Sequence, residues 1–315
     1  MNHRQIAFSI AVDGFLLSIQ AEGYSPETIK IYKWGLEKLR APEDLNDLNK
    51  KHLQETFSRL YKELSPASID NVWIALRSFM EWAEGEFEIE RVDLSIKRPR
   101  YKSPEINPFS HAEIKQLLKG CIYTNVARTK GRRTFYMRRP TADRDHAIIL
   151  TLLDTGVRVS ELSRISNNDI DLKKGEIKIR SHLSGLKSRP RTVYIGTATK
   201  KAIWNYTVFK QANSLFETNN GVDPLFKSRD GLPMNKDSIR HFLIRLGKRA
   251  KVDDVHAHRF RHTFAIEYLR NGGDVFTLQR ILGLASWSMV RRYSAIAEAD
   301  CKARHEYAGP VDRIV

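Results

Sequence analysis

The chain has 315 residues and a formal net charge of +16, because 53 lysine and arginine residues face 37 aspartate and glutamate residues. Its 41% hydrophobic and 10% aromatic residues exclude a disordered basic tail, and the lack of a run of about 18 apolar residues excludes a membrane-spanning helix. Two cysteines are too few for a disulfide framework and indicate a reducing intracellular compartment, and the excess positive charge favours nucleic acid as the partner.

The positive charge is confined to one part of the chain. Residues 1–100 contain 14 basic and 16 acidic residues, a net charge of −2, whereas residues 101–315 contain 39 and 21, a net charge of +18. Between them, residues 96–108 combine three prolines with basic side chains, which is typical of an extended linker. We therefore predict a helical domain over 1–95, a basic linker over 96–108 and a second domain over 109–315.

The first domain is predicted to be a bundle of four amphipathic helices, because apolar residues recur at helical spacing in four successive segments. Ser25-Pro26 and Ser65-Pro66 each place an N-cap residue before a proline at the first helical position. The third helix is predicted to begin near Asp47.

The second domain is predicted to be helical with one small β element. Ser110 and Glu113 have the spacing of a capping box at the start of a helix. Further elements are predicted in chain order: a helix over 146–153, a helix after Gly156, two strands over 175–180 and 191–195 joined by a hairpin, and helices from about 199 onward. The fold class is therefore mainly α with a small β-hairpin or sheet in the second domain (α+β).

A basic segment follows the first helix of this domain. Residues 122–144 contain seven basic residues and one acidic residue, interleaved with aromatic residues. A solvated surface loop explains such a run of charge. An arm that follows DNA phosphates, with Arg132 and Arg133 as contacts, explains it equally well.

The signatures of several enzyme classes are absent from the sequence. There is no Gly-x4-Gly-Lys-Ser/Thr loop, no His-Glu-x-x-His and no Gly-x-Ser-x-Gly. No motif therefore indicates nucleotide hydrolysis, zinc proteolysis or esterase chemistry.

A cluster of histidine and arginine lies near the end of the chain. His258, Arg261 and His262 share one helix face by their spacing, and an imidazole beside a guanidinium suits binding and protonation of an oxyanion. A surface pair is the ordinary alternative. A zinc site that includes His256 is disfavoured because no fourth ligand is conventionally spaced and the arginines repel a cation.

Tyr293 follows two arginines. Because an unperturbed phenol ionises near pH ~10, a nucleophilic tyrosine needs positive charge or a proton acceptor beside it. Packing or an interface is the alternative role for a tyrosine at this position.

Together, three motifs resemble those of the tyrosine recombinases, the phage integrase family. Residues 155–162 (TGVRVSEL) are similar to its T-G-hydrophobic-R-hydrophobic-S-E-L motif, and residues 258–265 (HRFRHTFA) to its H-x-L-R-H-T-F-A helix. Residues 282–286 (LGLAS) with Arg292-Tyr293 resemble its L-G-H-S-S…R-Y ending. The N-terminal segment SPETIK resembles the DNA core-binding domain of the family, so the resemblance covers nearly the whole chain.

The resemblance implies an architecture and partners. The expected fold is a two-domain, C-shaped clamp, with a helical core-binding domain and a catalytic domain whose tail, residues 294–315, contacts a neighbouring protomer. The expected partner is a double-stranded DNA recombination site, bound by a homo-tetramer that is a monomer or dimer when free. No metal or other cofactor and no membrane is expected, and the expected location is the prokaryotic cytoplasm.

The resemblance also implies catalytic residues. Tyr293 would attack the scissile phosphodiester and form a 3′-phosphotyrosine, while Arg158 and Arg261 neutralise the non-bridging oxygens. His258 would hydrogen-bond the phosphate or accept the tyrosine proton. Lys187, the only lysine in the hairpin segment SHLSGLKSRP, would protonate the leaving 5′-oxygen.

Supporting residues follow from the same motifs. Glu161 is expected to orient Arg158. His262 is expected to hold other site residues in position without contacting the phosphate itself. Leu284 stands where the family usually has histidine, sometimes tryptophan, so one donor to the phosphate is missing, at a cost of ~3 kcal/mol of transition-state stabilisation. Trp287 is expected to be a core residue.

DNA contacts are expected along both domains. Lys30, Lys33 and Arg77 are expected on exposed faces of the groove-reading helices, and Arg98 in the linker. Arg189 and Arg191 are candidate phosphate contacts beside the hairpin.

The predicted function is a site-specific DNA recombinase independent of ATP and metal, acting in integration, excision or resolution. The alternatives are a catalytically weakened DNA-binding protein of the same fold and a type IB topoisomerase-like enzyme.

Overall fold

A computed structural model of the chain describes residues 5–101, 104–124, 135–181, 190–212, 223–284, 286–297 and 311. The described part is mostly helical with one small antiparallel sheet, as predicted. Its α-helices are α1 (Phe8–Ala21), α2 (Pro26–Glu37), α3 (Lys50–Glu63), α4 (Pro66–Phe87), α5 (His111–Ile122), α6 (Ala142–Thr155), α7 (Val159–Leu162), α8 (Thr197–Ala212), α9 (Lys236–Ala250), α10 (Ala257–Arg270), α11 (Val275–Leu282) and α12 (Trp287–Ala297), and its strands are β1 (Ile170–Asp171), β2 (Glu176–Ile179) and β3 (Arg191–Tyr194). None of the described helices is both long and apolar enough to span a membrane.

Two compact units make up the chain, the first ending at Pro104 and the second beginning at Glu105. The first unit contains α1 to α4 around a core of buried aliphatic and aromatic side chains. The side chains of Ser25 and Ser65 accept hydrogen bonds from backbone N–H groups in the first turns of α2 and α4, each with proline at the first position. The third helix begins at Lys50, after the N-cap Asn49 rather than at Asp47.

A cluster of charged and aromatic side chains ties the end of this unit to α4. Arg98 donates to both carboxylate oxygens of Asp70 at 2.8 and 2.9 Å, and its guanidinium lies over the ring of Trp73. Arg77 lies over the same ring and donates to the buried Asp93 at 2.9 Å. Arg77, which is expected on an exposed face, has a side chain that is 31% exposed and serves as the counter-charge of a buried carboxylate.

The second unit holds the sheet, whose strand order is β1-β2-β3 with antiparallel pairing throughout. Ile177 of β2 pairs with Val193 of β3 and with Ile170 of β1. The sequence predicts β2 and β3, but β1 has only two residues and too little alternation to be recognised.

The prediction of helices throughout the stretch after residue 199 is wrong for residues 223–235. This stretch makes isolated β-bridges, Ser166 with Pro224 and Lys227 with Pro233. Two prolines and a turn at Gly231, whose φ is +79°, prevent a helix here.

Two hydrophobic cores organise the second unit. The larger one joins α5, α6, α8, α9 and the sheet. The smaller one lies between α10, α11 and α12, and Tyr293 is one of its buried members. The tyrosine singled out by the sequence is therefore packed among aliphatic side chains.

Candidate active site

Tyr293 lies on α12 with 1% of its surface exposed. Its phenolic oxygen lies 2.8 Å from Nδ1 of His262 on α10. Burial raises the pKa of the Tyr293 phenol, and the positive charges of Arg261, Arg292 and Arg158 act in the opposite direction. The phenol is therefore protonated at neutral pH and surrounded by cationic side chains.

Only a neutral His262 can accept that hydrogen bond. Partial burial, followed by the charges of His258, His256 and Arg261, lowers the pKa of His262 to about 4. The imidazole is therefore neutral at physiological pH and carries one ring proton. In the tautomer with that proton on Nε2, Nδ1 accepts the hydrogen bond that the Tyr293 hydroxyl donates.

A glycine in the left-handed backbone conformation turns the chain so that Arg158 lies at the site. Gly156 ends α6 with φ of +59°, and a Cβ there would lie 2.5 Å from Phe264 and 2.8 Å from Leu282. Only glycine fits this turn, since it lacks a Cβ. Two residues later, the Arg158 backbone N–H donates to Glu161 at 2.9 Å and its Nη1 donates to the same carboxylate at 3.2 Å.

Arg261 is 4% exposed on α10. Its Nη1 donates to the Gly156 carbonyl at 2.8 Å and its Nη2 donates to the Leu282 carbonyl at 2.7 Å. Burial, together with the charge of Arg158, lowers the pKa of Arg261 to about 10, so the guanidinium remains charged at neutral pH.

Three arginines donate hydrogen bonds to the last carbonyls of α11 and to the carbonyl of its C-cap residue. Such carbonyls have no partner within the helix and carry the negative end of its dipole, which makes them good acceptors for cations. The pairs are Arg191 with Ile281 at 2.5 Å, Arg261 with Leu282 at 2.7 Å and Arg158 with Gly283 at 3.5 Å. No side-chain motif signals these backbone acceptors, so sequence reasoning could not find them.

Glu161 links two of these arginines. The residue is 2% exposed, and besides Arg158 it accepts from Nη1 and Nη2 of Arg191, each at 2.9 Å. Burial opposes ionisation, but the hydrogen bonds and charges of Arg191 and Arg158 lower the pKa of Glu161 to about 2. The guanidinium of Arg191, which is expected to contact DNA phosphate, is 8% exposed and faces Glu161.

His258 lies on the exposed side of α10. Neighbouring protein atoms still desolvate its ring, and this effect, with the charges of Arg261 and His256, lowers the pKa of His258. It is therefore a neutral imidazole beside the arginines. Nδ1 of His256, a residue of the zinc alternative, accepts from the Arg259 backbone N–H, and the described residues contain no group of three His, Cys, Asp or Glu side chains placed to hold a metal ion.

Leu284 packs partly buried against the smaller core, and its side chain offers no hydrogen bond. A cleft of about 700 Å³ lies beside it, lined in part by Tyr194 and Arg280. Trp287 is not a core residue as predicted: it is 37% exposed and packs edge-on against Phe276, which is 67% exposed.

The remaining predicted residues divide into two groups. Lys30 and Lys33 are exposed on α2, and the Arg98 side chain is 58% exposed although paired with Asp70. The others lie outside the described residues: Lys187, Arg189, Arg132, Arg133 and most of the tail 294–315.

Comparison with known proteins supports the family resemblance of the sequence motifs. Residues 109–300 match the phage integrase family. The tyrosine recombinase XerC of Staphylococcus saprophyticus is 28% identical over 305 residues, which cover 94% of this chain and 95% of that protein. The tyrosine recombinase XerA of Thermococcus kodakarensis is 26% identical over 305 residues, which cover 96% and 97% of the two chains.

The fold is similar to a solved structure as well. The Tn1549 transposon integrase, in complex with a circular intermediate DNA, matches with a TM-score of 0.71 over 91% of this chain and 98% of its own. The sequence identity is 17%, so this likeness concerns the fold alone.

Proposed function

Because the chain belongs to the phage integrase family of tyrosine recombinases, we propose that it cleaves and rejoins duplex DNA through a covalent bond between Tyr293 and a DNA 3′-phosphate. The Tyr293 oxygen attacks phosphorus, and the bond from phosphorus to the 5′-oxygen breaks. One phosphodiester replaces another of similar energy, so rejoining needs neither ATP nor metal.

His262 is the residue that accepts the phenolic proton in this proposal. Its Nδ1 is neutral and already within hydrogen-bond distance of the hydroxyl, which is the geometry of a general base. His258, which the sequence suggested for this step, is left to hydrogen-bond the phosphate. Since Tyr293 is buried, attack also requires a local movement of α12 that exposes its oxygen.

Arg158 and Arg261 stabilise the transition state, in which negative charge grows on the non-bridging oxygens. Arg158 is anchored by Glu161 and a backbone carbonyl, and Arg261 by two backbone carbonyls, so both keep their orientation while the charge develops. Lys187 supplies the proton to the leaving 5′-oxygen.

The observation that carries the proposal is the 2.8 Å contact between His262 and Tyr293 in a cluster of cationic side chains. A phenol that only packs in a core has no need of three arginines whose charges act on it. The recombination site, the tetramer on two duplexes and the residence of the protein beside DNA in the prokaryotic cytoplasm belong to the same proposal.

The test uses the full chain and a nicked suicide duplex whose site is obtained by binding selection from randomised DNA. The expected product is a covalent protein–DNA adduct at Tyr293, identified by mass spectrometry, with a free 5′-hydroxyl on the DNA. Tyr293→Phe is the matched control and should bind the duplex without forming the adduct. If the wild type binds the selected site but forms no adduct, the proposal fails.

A second candidate function is a DNA-binding protein of the same fold with weakened catalysis. Leu284 favours it, because a leucine cannot donate to the phosphate. DNA binding without cleavage, unchanged in Tyr293→Phe, would be the result for this candidate. Relaxation of supercoiled plasmid without any special site would instead indicate the type IB topoisomerase-like alternative.

A further inference from the structure

Arg191, the first residue of β3, is a charged side chain that the proposed chemistry does not use. Its guanidinium is 8% exposed and makes three hydrogen bonds: two to the carboxylate of Glu161 and one, from Nε at 2.5 Å, to the Ile281 carbonyl. A buried arginine is costly unless it is fully paired, so this arrangement has a specific set of partners.

The pairing with Glu161 matters for the charge of Arg158. A buried carboxylate paired with Arg158 alone would cancel the charge that Arg158 has to present to a phosphate. With Arg191 on the other side, the group of two guanidiniums and one carboxylate keeps a net charge of +1. Arg191 therefore allows Glu161 to orient Arg158 without neutralising it.

The bond to Ile281 matters for the position of α11. The next two carbonyls, of Leu282 and Gly283, are those that bind Arg261 and Arg158. A Cβ on Gly283 would lie 3.2 Å from Nη1 of Arg191, so the two residues are in close contact. Arg191 thus holds the helix end on which both phosphate-binding arginines are anchored.

We propose that Arg191 is a positioning residue for strand cleavage, which acts through Glu161 and the end of α11 and does not touch DNA. This inference rests on the proposed function. It assigns to Arg191 a role different from that of a phosphate contact, which the sequence alone suggested.

The test compares Arg191→Gln and Arg191→Lys with the wild type in duplex binding and in single-turnover formation of the Tyr293 adduct. Lys174→Gln, which removes one positive charge from an exposed site in the same unit, is the matched control. Arg191→Gln should slow adduct formation about 100-fold, as expected for a misplaced catalytic group, with a Kd within threefold of the wild type. Arg191→Lys should recover part of the rate, because an ammonium cannot bond both carboxylate oxygens and Ile281 at once.

A pH profile separates positioning from a merely structural role. Without Arg191 the pKa of Glu161 rises, so the acidic limb of the cleavage rate should move to higher pH in Arg191→Gln. The double variant Glu161→Gln/Arg191→Gln should be no slower than the slower single variant and should lose that shift. If Arg191→Gln does not fold, the Arg191→Lys profile answers the same question.

Two results overturn the inference. A tenfold or larger loss of DNA affinity with an unchanged rate of cleavage of bound DNA makes Arg191 a phosphate contact. If DNA binding, the rate of adduct formation and the pH profile are all unchanged in Arg191→Gln, Arg191 has no role in positioning. The wild type reacts in parallel, so failure of the proposed function shows as loss of the wild-type adduct and is distinct from either result.

Discussion

The Nδ1 atom of His262 lies within hydrogen-bond distance, 2.8 Å, of the phenolic oxygen of Tyr293, across the space between α10 and α12. The two rings lie 5.6 Å apart at an angle of 56°, so the contact is made through the edge of the imidazole and not by stacking. The proposed nucleophile and its proposed proton acceptor are therefore on two helices of the same small core.

Replacing His262 by phenylalanine should slow adduct formation about 100-fold at neutral pH, because the phenol loses the group that takes its proton. The ring is of similar size, so DNA affinity should stay within threefold. His111→Phe, at an exposed position on α5, is the matched control. The measurement is single-turnover cleavage with bound DNA, and a wild-type rate in His262→Phe would remove His262 from the mechanism.

The lowered pKa of His262 makes the stability of the free protein depend on pH. The imidazole has a pKa of about 4 in the folded chain and 6.5 as its ordinary value, so the unfolded state binds more protons between these values. Its contribution is complete above pH 6.5 and is lost as the pH falls toward 4.

Thermal unfolding from pH 4 to pH 7 should therefore show a steeper loss of stability on acidification for the wild type than for His262→Phe. Above pH 6.5 the two curves should run parallel, separated only by the pH-independent effect of the substitution. Parallel curves over the whole range would mean that the folded and unfolded pKa values of His262 are equal.

Leu284→His should raise the cleavage rate, since it supplies a donor at the position beside Gly283 where the sequence has none. The cleft beside Leu284 gives an imidazole room, and one added donor contributes up to about 3 kcal/mol, of which a tenfold gain in rate would be a modest part. Leu284→Met is the matched control and should leave the rate unchanged. No gain in Leu284→His, at unchanged DNA affinity, would mean that the phosphate does not approach this position.

The sequence predicted the helices and two of the strands because their signals are local. Ser65-Pro66, for example, specifies a helix start through two adjacent residues, and the structure has it there. The two-residue strand β1 is held by its pairing with β2, which leaves no pattern in its own residues. The stretch 223–235 is also shaped by bridges to distant residues.

The candidate site was predictable only where side chains form motifs. Arg158, His258, Arg261 and Tyr293 stand in recognisable motifs, whereas the carbonyls of α11 that anchor the arginines have no side-chain signature. The burial of Arg191 could not be predicted, because the exposure of an arginine on a short strand depends on what lies opposite it. Here Arg191 is buried because it pairs with the buried Glu161, 30 positions earlier in the chain.

The role of Lys187 as the general acid can be isolated by changing the leaving group. Lys187→Ala should slow cleavage of ordinary DNA about 100-fold, because the 5′-oxygen then leaves unprotonated. A substrate with sulfur in place of that oxygen releases a thiolate, whose conjugate acid has a pKa near ~8.5 and which needs no proton. On this substrate the variant and the wild type should cleave at similar rates. Equal slowing on both substrates would assign Lys187 to binding of the phosphate and not to the leaving group.

The net charge of +18 on residues 101–315 predicts a steep dependence of DNA affinity on salt. Each phosphate neutralised by lysine or arginine releases counterions, so a protein with several such contacts loses about 10³-fold in affinity between 50 and 200 mM salt.

Substitutions at single cations tell which of them take part. Lys30→Gln and Lys33→Gln, at exposed positions of α2, should each reduce the slope of log K against log salt by about 0.9 if they bind phosphate. Titrations of fluorescent duplex at five salt concentrations give the slopes. A flat response for the wild type would contradict the charge argument.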